Sequence, residues 1–174
     1  MATRQQAQAA TTVTVLGNTV NITYDSQLSP AERLATSNRI KAAADAINQQ
    51  ADKLTADEKK AIGQISSFSV VGPNTQLGAT GKGSMTLSIG YIKNPNVSPA
   101  GLASLFGHEG QHYLNAGKYS GANLWRDEQS AGRMQLGIGN KLGITQLERQ
   151  TLENWIDDKN RVNMQRHMEQ GFSY

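Results

Sequence analysis

The chain has 174 residues, a length typical of one domain that buries its own hydrophobic core. Its 17 Lys and Arg residues against 14 Asp and Glu residues give a net charge of +3, and these charges are scattered, which argues against nucleic-acid binding through a basic run. No stretch reaches the roughly 18 apolar residues that a membrane span needs, and the absence of cysteine excludes disulfides and thiolate metal sites, so a metal would need His, Asp or Glu ligands.

The first ten residues differ in composition from the rest. Residues 1–10 are polar and rich in Gln and Ala, and we expect them to be a disordered tail or the stub of a linker before a single domain over 11–174. They also lack the apolar centre of a secretory signal, so we expect that the chain does not direct its own export.

A β-hairpin is predicted next. The segments 13–15 and 20–24 alternate apolar with polar side chains, and Gly17 and Asn18 between them are typical of a tight hairpin turn. We therefore expect two antiparallel strands here.

Two helices should follow the hairpin. Ser29 and Pro30 form an N-cap and a first-turn proline, after which apolar residues recur at helical spacing as far as Leu54. Thr55 and Glu58 form a capping box that predicts a second, short helix.

Two further strands are predicted, over 68–71 and 85–91, with a Gly-rich loop between them that runs to Gly83. The second of these strands alternates apolar with small polar residues and ends at Tyr91. Its edge could bind an extended peptide substrate as an added strand, although an ordinary internal strand is an equal alternative.

Helices are predicted for most of the remaining chain. One begins after Ser98 and should end near Gly117, another covers 123–142, and a third begins with the capping box of Thr145 and Glu148. The expected fold class is therefore α+β, with a small antiparallel sheet packed against a mainly helical domain.

The helix after Ser98 carries the segment His108-Glu109-Gly110-Gln111-His112. Because residues four apart lie on the same helix face, His108 and His112 can bind one ion, and imidazole pairs suit Zn²⁺. Glu109 is rotated by about 100° from His108, which places its carboxylate beside the open side of the ion, where it could take a proton from water. The pattern therefore predicts a catalytic zinc site.

A catalytic zinc site needs a third protein ligand. Glu128 on the next predicted helix is our candidate, because Ala131, Gly132 and Gln135 share its side and would let the two helices approach closely. Asp127 is the competing ligand, although it fits better as the acceptor of an imidazole N–H.

Hydrolysis would also need a hydrogen-bond donor for a negatively charged oxygen. Tyr119 and His167 are the candidates, with Tyr113 and Arg133 as further possibilities. An ordinary packing or surface role is the alternative for each of the four.

The HEGQH segment, followed by a glutamate in the form ExxA, resembles the gluzincin type of zinc metallopeptidase over residues 108–131. The resemblance implies zinc bound by His108, His112 and Glu128, a polypeptide substrate, and Glu109 as the general base. The interval between His112 and Glu128 is shorter than in thermolysin-like enzymes.

A wider resemblance runs from NTVNITYD through LFGHEGQHYLNAGKYSG to NMQRHMEQGFSY, which is similar to toxin domains at the C-terminal ends of bacterial Rhs-type polymorphic toxins. It implies a secreted antibacterial effector that is released from a larger carrier chain. It also implies delivery into a target cell by a secretion system and an immunity protein in the producer. The compartment of action, cytoplasm or periplasm, stays open.

Two alternatives to a peptidase follow from the same residues. A zinc hydrolase of peptidoglycan cross-links would use the same ligands. A non-catalytic binding domain would use the metal only to hold two helices together. Glu109 distinguishes the second alternative, because a purely structural site has no use for that carboxylate.

Overall fold

In a computed structural model of the chain, the described residues are 8–73, 78–79 and 83–170. Their strands are β1 (Thr12–Val15), β2 (Asn18–Tyr24), β3 (Ser67–Val71), β4 (Gly78–Ala79) and β5 (Ser84–Ser88). Their helices are α1 (Pro30–Gln49), α2 (Ala56–Ile62), α3 (Ile89–Ile92), α4 (Pro99–Asn115), α5 (Trp125–Leu142), α6 (Gln146–Ile156) and α7 (Arg161–Glu169). Short 3-10 turns cover Gly121–Asn123 and Asp158–Asn160. The predicted α+β class is confirmed.

The five strands form one sheet in the order β1-β2-β3-β5-β4. The prediction of an antiparallel sheet is wrong for its centre, because β2, β3 and β5 are parallel, whereas β1 and β4 pair antiparallel at the two edges. For the pair of β2 and β3, the reason is their connection, in which α1 and α2 carry the chain back before the next strand begins. Such a helical crossover joins strands that run in the same direction.

The predicted hairpin is confirmed, with its turn one residue earlier than expected. Leu16 and Gly17 both have positive φ, 49° and 81°, as a type I′ turn requires. The hydroxyl of Tyr24 donates a 2.6 Å hydrogen bond to the carbonyl of Ala10, which ties the chain to the sheet from that residue on. Of the expected tail, residues 1–7 lie outside the described residues.

Of the two alternatives for the strand predicted over 85–91, an open edge for a peptide or an ordinary internal strand, the structure shows the internal strand, and it ends before Tyr91. β5 ends at Ser88, whose side-chain oxygen caps α3 by accepting from the backbone N–H of Gly90 at 3.2 Å. Tyr91 therefore lies on a helix, and β5 is an internal strand between β3 and β4. Of the Gly-rich loop that runs to Gly83, residues 74–77 and 80–82 lie outside the described residues.

Local capping signals fix the helix starts where the sequence predicted them. Both predicted capping boxes form, at the starts of α2 and α6, and Ser98 caps α4. The first helix ends at Gln49, before Leu54, whose buried side chain belongs to the segment between α1 and α2.

Helix α4 lies at the centre of the molecule and is buried along most of its length. It packs against α1 and α2 and against α5, and the ring of Phe106 lies 4.7 Å from that of Phe68 on β3. At Gly110 the backbone of α2 comes so close that an added Cβ would lie 1.8 Å from the carbonyl oxygen of Ala61. The helix that carries the motif is thus held rigidly by backbone and side-chain contacts.

Helix α5 contacts α4 differently from the prediction. Gly132 faces α6, where a Cβ would lie 2.4 Å from Ile156, and so the close approach it permits is to α6. The approach between α4 and α5 occurs instead at Gly107, where a Cβ would lie 2.1 Å from Ile138. Among the helices described here, none is both long and apolar enough for a membrane span.

Candidate metal centre

Three side chains of two neighbouring helices converge at the C-terminal half of α4. Nε2 of His108 lies 3.2 Å from Nε2 of His112, and Glu128 on α5 places Oε1 3.7 Å from the first and Oε2 3.4 Å from the second. All three residues are buried, with 8%, 2% and 3% of their surface exposed. This group could hold a metal ion.

The spacing of the ligand atoms fits a small divalent ion. Two ligand atoms about 2.1 Å from a tetrahedral zinc ion lie about 3.4 Å apart. The two Nε2 atoms of His108 and His112 lie 3.2 Å apart, and Oε2 of Glu128 lies 3.4 Å from Nε2 of His112, so both separations are close to that spacing. Oε2 of Glu128 is buried, and Nε2 of His112 lies 3.4 Å from it. Burying a carboxylate costs free energy unless a positive charge pairs with it, and a cation between the three residues would do so.

Asp127 orients the ring of His112. Its Oδ2 lies 3.1 Å from Nδ1 of His112, while Oδ1 accepts a 2.7 Å hydrogen bond from the side-chain amide of Asn115. Because a carboxylate at Nδ1 favours the tautomer that carries a proton there, a neutral His112 ring would offer the lone pair of Nε2 to an ion. Asp127 thus lies where an acceptor for the imidazole N–H was expected.

Asn115 belongs to this network but was not predicted from the sequence. Its Oδ1 accepts a 2.9 Å hydrogen bond from Nε2 of Gln111, so Gln111 and Asp127 together fix the buried Asn115 amide. The signal that could have identified it is its spacing, four residues after Gln111 and three after His112 on a helix.

Trp155 also contacts the site and was not predicted from the sequence. Its indole Nε1 donates a 2.8 Å hydrogen bond to Oε1 of Glu128, and the ring of His167 meets it edge to face at 5.8 Å. A partly buried tryptophan has one N–H that usually finds an acceptor, and this requirement was the available signal.

The electrostatics of the group depend on burial and on its carboxylates. Burial lowers the pKa of His108 below its ordinary value and outweighs the opposing effect of Glu128. For His112, burial acts in the same direction, but hydrogen bonds to Asp127 and Glu128 outweigh it and raise the pKa to about 10. Burial opposes ionisation of Glu128, yet the neighbouring imidazoles lower its pKa to about 2. In the absence of a metal, His112 therefore pairs with Glu128 as imidazolium with carboxylate.

Glu109 follows His108 on α4 and is 4% exposed. Its negative charge raises the pKa of both His108 and His112, which places the carboxylate close to the group. It also acts on two tyrosines: burial raises the pKa of Tyr91 to about 12 with added effects of Glu148 and Glu109, and burial together with Glu109 raises the pKa of Tyr113.

The four predicted oxyanion donors are not equally placed. His167 on α7 is half-buried, and its charge lowers the pKa of both His108 and Glu128, so it lies near the group. Tyr113 donates its hydroxyl proton to the carbonyl of Ser84 at 2.6 Å, so that proton is already used in a hydrogen bond to β5.

The other two candidates lie outside this arrangement. Tyr119 is half-buried in the segment after α4 and makes no hydrogen bond to another described residue, so its role stays a prediction. Arg133 lines a separate cavity of about 600 Å³, together with Lys60 and Lys118. Of the four, the structure brings His167 closest to the role.

No protein-family model, curated protein or solved structure matches this chain.

Proposed function

We propose that this chain is a zinc-dependent hydrolase of peptide bonds, with His108, His112 and Glu128 as metal ligands and Glu109 as the general base. The observation that carries the proposal is a buried group of two imidazole nitrogens, 3.2 Å apart and one helical turn from each other, with the carboxylate oxygens of Glu128 from the neighbouring helix at 3.4 and 3.7 Å. Two nitrogens and one carboxylate oxygen are a ligand set that zinc uses in catalytic sites.

The number of ligands favours catalysis over a purely structural role. Structural zinc sites use four protein ligands, whereas catalytic sites use three and leave one position for water or substrate. Among the described residues, His108, His112 and Glu128 form a group of three. Zinc, when bound, acts as a Lewis acid that makes water more acidic and polarises a carbonyl.

Each protein group has a distinct task in this proposal. Glu109, next to His108 and electrostatically coupled to both histidines, accepts the proton of the attacking water and returns it to the departing amine. Asp127 keeps His112 in the tautomer that binds metal, and Trp155 holds one oxygen of Glu128. His167 is the preferred donor to the oxyanion.

The resemblance to polymorphic-toxin domains supports an antibacterial role for this hydrolysis. In that role the chain acts on proteins of a competing cell, and the producer protects itself with an immunity protein.

The decisive comparison uses Glu109→Gln, which keeps the shape of the side chain but removes its basicity. Cell lysate is treated with the zinc-loaded wild type, with Glu109→Gln, or with Glu153→Gln as an exposed control, and new protein N-termini are identified by mass spectrometry. We expect equal zinc content in all three proteins, and new N-termini with the wild type and the control alone. A wild type that produces no more new N-termini than Glu109→Gln refutes the peptidase proposal.

A further inference from the structure

A cavity of about 550 Å³ lies between the start of α5 and helix α7, apart from the metal ligands. Arg126, Arg161 and Arg166 line it together with Trp125, and Glu169 is the acidic residue of the lining. We call it the arginine cavity. Its volume falls within the range of roughly 300 to 1,000 Å³ that is typical of ligand sites.

The positive charge of the arginine cavity is not balanced within the described chain. Arg126, Arg161 and Arg166 are exposed, and none of their guanidinium groups forms a hydrogen bond or an ion pair with another described residue. The carboxylate of Glu169 already accepts a 2.6 Å hydrogen bond from Gln165. The cavity therefore has three guanidinium groups and one carboxylate, which is already hydrogen-bonded. This excess of positive charge favours an anion.

Two of the three guanidinium groups lie close to the indole ring of Trp125. The Cζ atom of Arg126 lies 4.9 Å from the indole ring centroid, and that of Arg161 lies 5.8 Å from it. Such stacking limits the freedom of these two arginine side chains. The guanidinium groups of Arg126 and Arg161 are therefore partly ordered before any ligand arrives.

The floor of the arginine cavity is fixed by one glutamine. Oε1 of Gln165 accepts the backbone N–H of Trp125 at 3.0 Å, and its Nε2 donates to the carbonyl of Gly121 at 2.9 Å. Gln165 thus links α7, α5 and the turn at Gly121–Asn123. Because these hydrogen bonds already fix the residues that line the cavity here, they lose little further conformational entropy when a ligand binds.

The chemistry of the rim indicates a polypeptide ligand. Val162, 62% exposed, lies beside the arginines, and Trp and Arg are the residues that contribute most at protein interfaces. A nucleic-acid backbone would instead follow an extended basic stripe, whereas these three arginines line a single cavity that also contains Glu169.

We propose that the arginine cavity binds an acidic segment of a partner polypeptide. Its carboxylates pair with the guanidinium groups, which suit two-point binding of carboxylate, and an apolar side chain lies on Trp125 and Val162. The surface adjoins the metal centre along the chain, because Arg126 comes two residues before Glu128 and Arg166 directly precedes His167. Binding here does not depend on the proposed hydrolysis.

The test begins with a random peptide library displayed on phage and selected on the immobilised full chain, either wild type or Arg126→Gln/Arg161→Gln/Arg166→Gln. We expect peptides rich in Asp and Glu to be enriched by the wild type and not by the triple variant. A wild-type selection without acidic enrichment, or equal enrichment by both proteins, overturns the proposal.

The best acidic peptide is then labelled with fluorescein, and its affinity is measured by fluorescence anisotropy. We expect the triple variant to bind at least about tenfold more weakly, and the wild-type affinity to fall as salt rises from about 50 to 300 mM. The matched control is Lys53→Gln/Lys59→Gln/Arg149→Gln, which removes three exposed cations from other surfaces and should bind as the wild type does.

Two further results would overturn the proposal. One is equal affinity for a twin peptide with Gln and Asn in place of Glu and Asp. The other is tighter binding of a single-stranded oligonucleotide, which would assign the cavity to nucleic acid. Circular dichroism melts of both triple variants establish that they are folded, and Glu109→Gln should bind the peptide unchanged, which separates this proposal from the hydrolytic one.

Discussion

The indole N–H of Trp155 donates a 2.8 Å hydrogen bond to Oε1 of Glu128, the carboxylate that faces His108 and His112. This contact joins α6 to the candidate metal centre across 27 residues of sequence. Because Oε1 is engaged by the indole, Oε2 is the oxygen best placed for an ion. Trp155 is thus a positioning residue for Glu128.

Replacing Trp155 by Phe should weaken metal binding. The aromatic ring stays while the N–H is lost, so Glu128 is held less firmly, and loss of such a supporting hydrogen bond typically reduces metal affinity by about 10- to 100-fold. Competition with a zinc chelator measures this affinity without any catalytic assay. Trp125→Phe, the same substitution beside the arginine cavity, should leave the affinity unchanged. Equal affinities of the two variants would contradict the positioning role.

Metal uptake should release a proton from His112. Hydrogen bonds to Asp127 and Glu128 raise the pKa of His112 to about 10, so the ring is protonated at pH 7 without metal, and the ion must displace the proton at Nε2. We expect about one proton per bound ion at pH 7, and an affinity that rises by up to about tenfold per pH unit below pH 10. Calorimetric titration in buffers of different ionisation enthalpy counts the proton. Uptake with no proton release would show that His112 is neutral in the apoprotein.

The proposed antibacterial role predicts that toxicity depends on the carboxylate of Glu109. The wild type is produced inside a bacterial host, with or without an added export signal. Colony counts should fall when the protein reaches the compartment that contains its substrate. Glu109→Gln should restore growth at equal protein levels, because the variant keeps the fold and the metal ligands. If the two proteins were equally toxic, toxicity would have a cause other than hydrolysis.

Local features of this fold could be predicted from the sequence, whereas long-range ones could not. The helix starts at Thr55, Ser98 and Thr145 were predictable because capping involves side chains only three residues from the cap. The parallel centre of the sheet was missed because strand direction depends on the path of the connection, which alternation does not encode.

The same distinction applies to the metal centre. His108 and His112 are neighbours by helix geometry alone, and Glu128 could be proposed because a ligand set requires a third member. The roles of Asn115 and Trp155 depend on how α5 and α6 pack onto α4, and no short-range pattern reports that packing. Gly107 and Gly110 lie beside and within the motif, but the residues that they contact, Ile138 and Ala61, are brought there only by the fold.

The close contact at Gly110 predicts an unusual response to alanine. An added Cβ would lie 1.8 Å from the carbonyl oxygen of Ala61, so α2 or α4 must shift. We expect Gly110→Ala to lower the free energy of unfolding by about 1 to 3 kcal/mol, as overpacking does, despite the better helix propensity of alanine.

The matched control for Gly110 is Gly137→Ala on α5, where a Cβ would meet just the side-chain oxygen of Glu58 at 3.2 Å. That side chain can adjust, so the change should stay below about 1 kcal/mol. Urea unfolding measures both variants. A Gly110→Ala protein as stable as Gly137→Ala would show that the backbone contact at Ala61 yields easily.

The ionisation of Glu148 should make the free energy of unfolding depend on pH in the acidic range. Its carboxylate accepts hydrogen bonds from the backbone and side chain of both Ser98 and Thr145, at 2.8 to 2.9 Å, and so secures the starts of α4 and α6. Burial opposes ionisation, but these hydrogen bonds outweigh it and hold the pKa of Glu148 below its ordinary value. A depressed pKa in the folded state contributes stability above the unfolded value of about 4.3, and this contribution is lost as the pH falls through the folded value.

Glu148→Gln should therefore lower stability at pH 7 by about 1 to 3 kcal/mol, since the amide cannot accept all four hydrogen bonds. The gap to the wild type should narrow as the pH falls from about 5 towards 3, because the wild-type carboxylate is then protonated. Glu153→Gln, an exposed change on the same helix, should show neither effect. Urea unfolding across this pH range gives the comparison, and a gap that stays constant with pH would mean that the charge of Glu148 does not stabilise the two helix starts.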